Sequence, residues 1–219
     1  MSKFFPVCEN IKINSKVELL AFKCGDIILQ LASLDPGSTF ELHHHPESQM
    51  GMVIAGRLEM NINGTKEILE PLQHVYAADS HIPHGSVNLF AETALAFDVK
   101  RITNSLPSLT ANKAFFKVTP TKDEATNFPC KSALASWFEI IISQIPPQGK
   151  IPTQQSTCEQ MGIIYNGHLM MSVEKEQRQL KYGEIYYAPP NVVYEGYNPS
   201  NEEVTLIKIL MPPVSESAL

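Results

Sequence analysis

One stretch of this chain occurs twice, and that repeat limits the fold more than any other feature. Residues 48–60 align without a gap with residues 159–171. Gln49, Met50, Gly51, Gly56, Leu58 and Met60 meet Gln160, Met161, Gly162, Gly167, Leu169 and Met171. Asp35-Pro36 stands opposite Pro146-Pro147 at the same offset, and Asn88 opposite Asn198 one residue off it. A shared register over that span means one supersecondary plan built twice. The 219 residues allow two small domains, and 43% hydrophobic residues supply a core for each. The boundaries expected are a first domain over residues 1–104, a linker over 105–132 and a second domain over 133–219.

Within each copy the pattern is short strands between turn signals. Asp26–Ala32, Thr39–His45, Met50–Ile54 and Arg57–Ile62 are rich in strand formers. Asp35-Pro36-Gly37 and Asn63-Gly64 are turns, the second a hairpin signal because both residues tolerate positive φ. Val17–Phe22 reads as an edge strand, and Leu109–Phe116 as a short helix in the linker. The fold class expected is all-β, a pair of barrels or sandwiches.

Six of the seven histidines fall between residues 43 and 84. On a strand, alternate side chains share a face, so His43 and His45 aim together. With Gln49 nearby and His84 about forty residues on, two imidazoles from one strand meet a third imidazole and an oxygen donor. That set suits a divalent transition metal. Gln49 is either a ligand or a core amide, and Glu47 is the competing oxygen donor. Glu41 has the parity of His43 and His45. It is read as an acid–base group inside the barrel or as a carboxylate at its mouth. His44, His74 and His81 read as surface or supporting groups, and Tyr76 and Phe97 as pocket wall or core.

The spacing of Gly37, His43, His45, Gln49 and Gly56 resembles the first motif of the cupins, which normally has Glu where Gln49 stands. His84 and Asn88 resemble the end of the second motif. There the family usually has Gly at Gln73, Pro at Asp79 and Gly at His81. The resemblance implies two tandem cupin barrels (double-stranded β-helix or jelly roll) with a metal inside. The His-x-His-Pro-x-x-Gln variant is similar to that of the pectin-degradation cupins and of the two-barrel isomerases of bacilysin synthesis. It therefore implies metal-assisted proton transfer on a small oxo acid or sugar acid, through a metal-stabilised enolate. Metal-dependent dioxygenases or decarboxylases, and non-catalytic binding cupins, are the alternatives the same family offers.

The second copy has Gln154, Ser156, Gln160 and Tyr194 opposite His43, His45, Gln49 and His84. Amide, hydroxyl and phenol groups make a poor transition-metal shell. One divalent ion per chain is expected, among Fe, Mn, Co, Ni, Cu and Zn. Three imidazoles and an amide leave that ion its full charge, which favours Lewis-acid work over redox cycling. The net charge of −6 argues against nucleic acid or an anionic membrane as partner, leaving a small molecule. Four scattered cysteines and no apolar leader point to a reduced, cytoplasmic protein, monomer or homodimer.

Overall fold

The structure is a computed structural model that describes residues 2–101, 109, 113–123 and 125–212. The chain divides into two compact units, Cys8–Val118 and the pair of segments Met1–Val7 with Thr119–Leu219. Chain order alone assigns residues 1–104 to the first domain. In the structure Phe4 and Phe5 instead lie in the core of the second, where Tyr187 N donates to Phe4 O at 2.8 Å.

The unit Cys8–Val118 runs β1 (Glu9–Asn14), β2 (Val17–Cys24), β3 (Ile27–Leu34), β4 (Thr39–His43), β5 (Ser48–Ala55), β6 (Leu58–Ile62), β7 (Thr65–Leu69), β8 (His74–Ala78), β9 (His84–Val87), β10 (Ala94–Arg101) and β11 (Phe115–Lys117). One antiparallel sheet has the order β1-β2-β3-β10-β5-β8-β11, the other β4-β9-β6-β7. β6 alternates buried Leu58, Met60 and Ile62 with half-buried Glu59 and Asn61, the period-2 pattern of a strand with one face inward. Val17, Leu19, Leu34, Val53 and Ala94 from the first sheet meet Leu58, Met60, Ile62 and Leu69 from the second in one core. β1, not β2, forms the edge. Asn63 and Gly64 take φ of 50° and 85° between β6 and β7, a hairpin turn that pairs Ile62 with Thr65. The stretch read as a linker helix, Leu109–Phe116, runs instead into the strand β11, Phe115–Lys117, which pairs with β8; its residues 110–112 lie outside the described residues.

The other unit repeats the plan with β12 (Thr119–Lys122), β13 (Pro129–Leu134), β14 (Glu139–Ile145), β15 (Lys150–Gln155), β16 (Glu159–Asn166), β17 (Leu169–Val173), β18 (Glu176–Leu180), β19 (Ile185–Ala188), β20 (Val193–Tyr197) and β21 (Val204–Met211). Its sheets are β12-β13-β14-β21-β16-β19 and β15-β20-β17-β18. The repeat extends to side chains. Asn88 Nδ2 donates to Leu34 O at 2.9 Å and Glu92 O at 2.8 Å. Asn198 Nδ2 donates to Ile145 O at 3.1 Å and Glu202 O at 2.7 Å. Each buried amide pins a loop whose carbonyls would otherwise lack partners. Trp137, the only tryptophan of the sequence, is fully buried here, edge-on to Phe138. No helix among the described residues is long and apolar enough to cross a membrane.

Candidate metal centre

His43 ends β4 and pairs directly with His84, the first residue of β9. That cross-strand pair brings together two residues about forty apart in sequence. The β4/β9 register shifts between Phe40 and His43, so simple alternation fails along this strand. Phe40 and His43 both line the cavity of the barrel, whereas Glu41 is exposed and lines a shallow outer pocket with Leu42, Glu59 and Lys66. His45 follows in the loop, fixed where the β8–β9 turn folds over it. His81 N donates to His45 O at 2.8 Å, and His81 holds the turn at φ 62°.

The three imidazoles converge. Ring centroids lie 4.6 Å apart for His43 and His84, 4.8 Å for His45 and His84, and 5.7 Å for His43 and His45. One ligand atom from each falls within 4.8 Å of the others. All three Nδ1 atoms are engaged away from the centre. His43 Nδ1–H donates to Glu41 O at 2.8 Å, His84 Nδ1–H to Ile82 O at 2.8 Å, and His45 Nδ1–H to Glu47 O at 3.0 Å. The Glu47 carboxylate stands 3.2 Å from the same His45 nitrogen, so it backs the imidazole rather than joining the cluster. These bonds fix one tautomer and leave the Nε2 lone pairs for the centre, the arrangement of metal-binding histidines. His84 Nε2 is buried with no hydrogen-bond partner. Burial, reinforced by repulsion from His43, His45 and Lys100, outweighs the bond to Ile82 and holds the His84 pKa down at about 4. The ring is neutral at neutral pH and free to ligate.

Gln49 completes the set from β5. Its Nε2 donates to Asp98 Oδ1 at 2.8 Å, so its Oε1 faces inward, 3.0 Å from His45 Nε2. With the His45 proton on Nδ1, that contact sets one lone pair against another. A cation between them removes the conflict. Two ligands at about 2.1 Å from one ion and about 90° apart lie about 3.0 Å from each other. The residues therefore fit a divalent transition metal held by His43, His45, His84 and Gln49.

Behind Gln49 lie two residues that chain spacing does not flag as a pair. Asp98 and Tyr76 both pair with Gly51, from opposite sides of β5. The Tyr76 hydroxyl donates to Asp98 in a short hydrogen bond. Burial raises the pKa of both groups, and the Asp98 charge raises that of Tyr76 further, so the phenol keeps its proton. A Cβ at Gly51 would overlap the Tyr76 ring and Phe97 O, so only glycine leaves room for the phenol. Phe97 itself is core. The cavity, about 200 Å³, is walled by Leu19, Leu34, Phe40, Leu58 and Met60 and carries His43, His84, Gln49, Tyr76, Asp98 and Lys100.

The matching positions of the second barrel hold different chemistry. Tyr194 Oη donates to Gln154 Oε1 at 2.7 Å, and Gln160 Nε2 donates to Tyr186 Oη at 2.5 Å. Lys208 pairs with Gly162 as Asp98 pairs with Gly51, and its ammonium meets Asp123 at 2.9 Å. Gln154, Gln160, Tyr194, Lys208 and Asp123 line a cavity of about 570 Å³ with Ser156 and Leu210. Cys158 is buried and His168 exposed.

Residues 30–100, which span every residue of the first centre, match the family model of the cupin domain. The crystal structure of AerE from Microcystis aeruginosa is 45% identical, covers 96% of this chain and 99% of its own, and superposes with a TM-score of 0.92. The H2HPP isomerase of Bacillus subtilis is 25% identical over 211 residues, covering 96% of this chain and 89% of that one. A variant of Bacillus subtilis oxalate decarboxylase OxdC, 13% identical, shares the fold at a TM-score of 0.76 over 96% of this chain and 77% of its own. The duplicated sheets, the histidine cluster of the first barrel and these likenesses lead to one assignment: the chain is a two-barrel member of the cupin superfamily.

Proposed function

We propose that the first barrel is a metal-dependent isomerase that moves a proton, and with it a double bond, on a small 2-oxo acid. The observation that carries this reading is the Gln49 oxygen turned toward three imidazoles whose other nitrogens are all engaged. A divalent ion held by His43, His45, Gln49 and His84 supplies Lewis acidity toward a carbonyl oxygen. Because all four side chains are neutral, none of that charge is cancelled by a ligand. The apolar walls keep bulk water from the reacting carbons, and the Tyr76 Oη–Asp98 Oδ1 pair holds a proton at the inner end of the cavity. We place the relay at that pair, since the Glu41 carboxylate is exposed. A proton leaves the carbon beside the oxo group and another is delivered further along the conjugated system, with no net oxidation. The isomerase relative in Bacillus subtilis supports this chemistry, and the oxalate decarboxylases support the fold alone.

Metal content and deuterium exchange test the proposal together. Wild-type protein is expected to hold close to one ion per chain by mass spectrometry, and the His43→Ala/His45→Ala variant none, with its folding intact. In D2O the loaded enzyme is expected to place deuterium into a cyclohexadienyl 2-oxo acid, seen by NMR, without oxygen uptake or release of carbon dioxide. Oxygen uptake or carbon dioxide release would transfer the site to the dioxygenase or decarboxylase reading.

A further inference from the structure

Lys100 has no role in the account above. It is the one lysine or arginine among the described residues that line the first cavity. Among those residues it makes no hydrogen bond and no ion pair. Asp98, the one acid lining the same cavity, is taken by Gln49 and Tyr76. Lys100 sits on β10 directly opposite Gln49, two residues from Asp98, so the three side chains share the inward face. Directly opposed residues hold their Cβ atoms about 5 Å apart, so the Lys100 stem starts beside Gln49, and its side chain lines the same cavity as His43 and His84. Its charge is felt at both His84 and Asp98. Lys100 is half-buried and has no counter-ion among the described residues, so an anion entering the cavity meets an uncommitted cation.

The second barrel supplies a comparison inside the same molecule. Gln160 stands opposite Leu210 on β21, as Gln49 stands opposite Lys100 on β10. At the position opposite the glutamine, the barrel with the imidazoles has a lysine and the barrel without them a leucine; the second cavity's Lys208 stands instead at the position of Asp98 and is taken by Asp123.

We propose that Lys100 is the docking group for the substrate's carboxylate, holding it beside Gln49 while the apolar body of the molecule lies along Leu19, Leu34 and Phe40. This rests on the oxo-acid reading of the same site. It adds a selection rule: the substrate carries one carboxylate for the single ammonium and an apolar body for the wall of Leu19, Leu34 and Phe40.

Calorimetric titration of metal-loaded and metal-stripped protein with phenylpyruvate tests the assignment. Phenylpyruvate methyl ester serves as the uncharged probe. In Lys100→Met, phenylpyruvate is expected to bind about 10- to 100-fold more weakly than in wild type, the range of a charged hydrogen bond. Its salt dependence is expected to be lost. Ester binding should stay as in wild type, and Lys100→Arg should recover most of the phenylpyruvate affinity. Metal content, read on the same samples, should be unchanged in both variants. Equal phenylpyruvate affinity in wild type and Lys100→Met would overturn the role of Lys100, as would no binding to wild type in either form. Loss of metal from wild type, with carboxylate binding still dependent on Lys100, would instead overturn the metal reading and leave the docking role standing.

Discussion

Gln49 on β5 and Asp98 on β10 are diagonal neighbours across the strand pair, and the bond from Gln49 Nε2 to Asp98 Oδ1 decides which end of the amide meets the histidines. An amide reversed by 180° would present N–H groups to the imidazole lone pairs and repel a cation. Asp98 thus fixes the end of Gln49 that faces the histidines.

Asp98→Ala is therefore expected to lower metal affinity about 10- to 100-fold, the usual cost of removing a group that orients a ligand. Asp98→Asn should cost less, because one amide oxygen still accepts from Gln49. Competition with a chromophoric chelator measures both. Unchanged affinity in Asp98→Ala would mean that Gln49 is not a ligand.

His84 gives the metal-free protein a characteristic acid response. Its pKa is held at about 4, against 6.5 for a free imidazole. Between those values the unfolded chain binds more protons than the native one, so stability falls as pH drops from about 6.5 to about 4 and levels off below. The loss is expected to be on the order of 1–3 kcal/mol once solvent screening is allowed for. Urea unfolding across this range, repeated on His84→Ala, should show the slope reduced in the variant.

Gly162 lies against the Tyr186 ring as Gly51 lies against Tyr76, and an added Cβ would overlap ring atoms in either barrel. Gly162→Ala should destabilise its unit by roughly 1–3 kcal/mol, the cost of overpacking. A melt equal to that of wild type would mean that the ring shifts freely, contrary to its complete burial.

Lys208 and Asp123 form a buried pair in the second barrel. Burial alone would raise the Asp123 carboxyl, but the charge and hydrogen bond of Lys208 bring it below its ordinary value. Lys208→Met strands a buried carboxylate and is expected to cost about 3–5 kcal/mol. The double variant Asp123→Asn/Lys208→Met should recover most of that loss in denaturant titrations, because a neutral amide no longer needs a counter-ion.

The repeat, the strand pattern and the grouping of His43, His45 and Gln49 could be read along the chain as matters of local spacing, and His84 joined them through the likeness of its surroundings to a second motif. The direction of Glu41 could not. Parity predicts an inward carboxylate, but the bulge between Phe40 and His43 puts Phe40 and His43 on the cavity side and leaves Glu41 outside. Asp98, Lys100 and the partnership of Tyr76, itself read as pocket wall or core, with Asp98 were hidden for another reason. They meet Gln49 only through the pairing of β10 and β8 with β5, a register set by packing rather than by spacing in sequence. A similar limit hid Phe4 and Phe5, whose partners in the second core lie more than a hundred residues away.

The position of Trp137 gives the molecule a built-in optical label. It is the only indole in the chain, fully buried in one of the two units, with Phe138 edge-on beside it. Emission excited at the red edge of the absorption band therefore reports the integrity of the barrel without the histidine cluster. Far-ultraviolet dichroism reports the strands of both. Wherever the two signals part during heating, acidification or chelation, the difference belongs to the unit that carries the imidazoles.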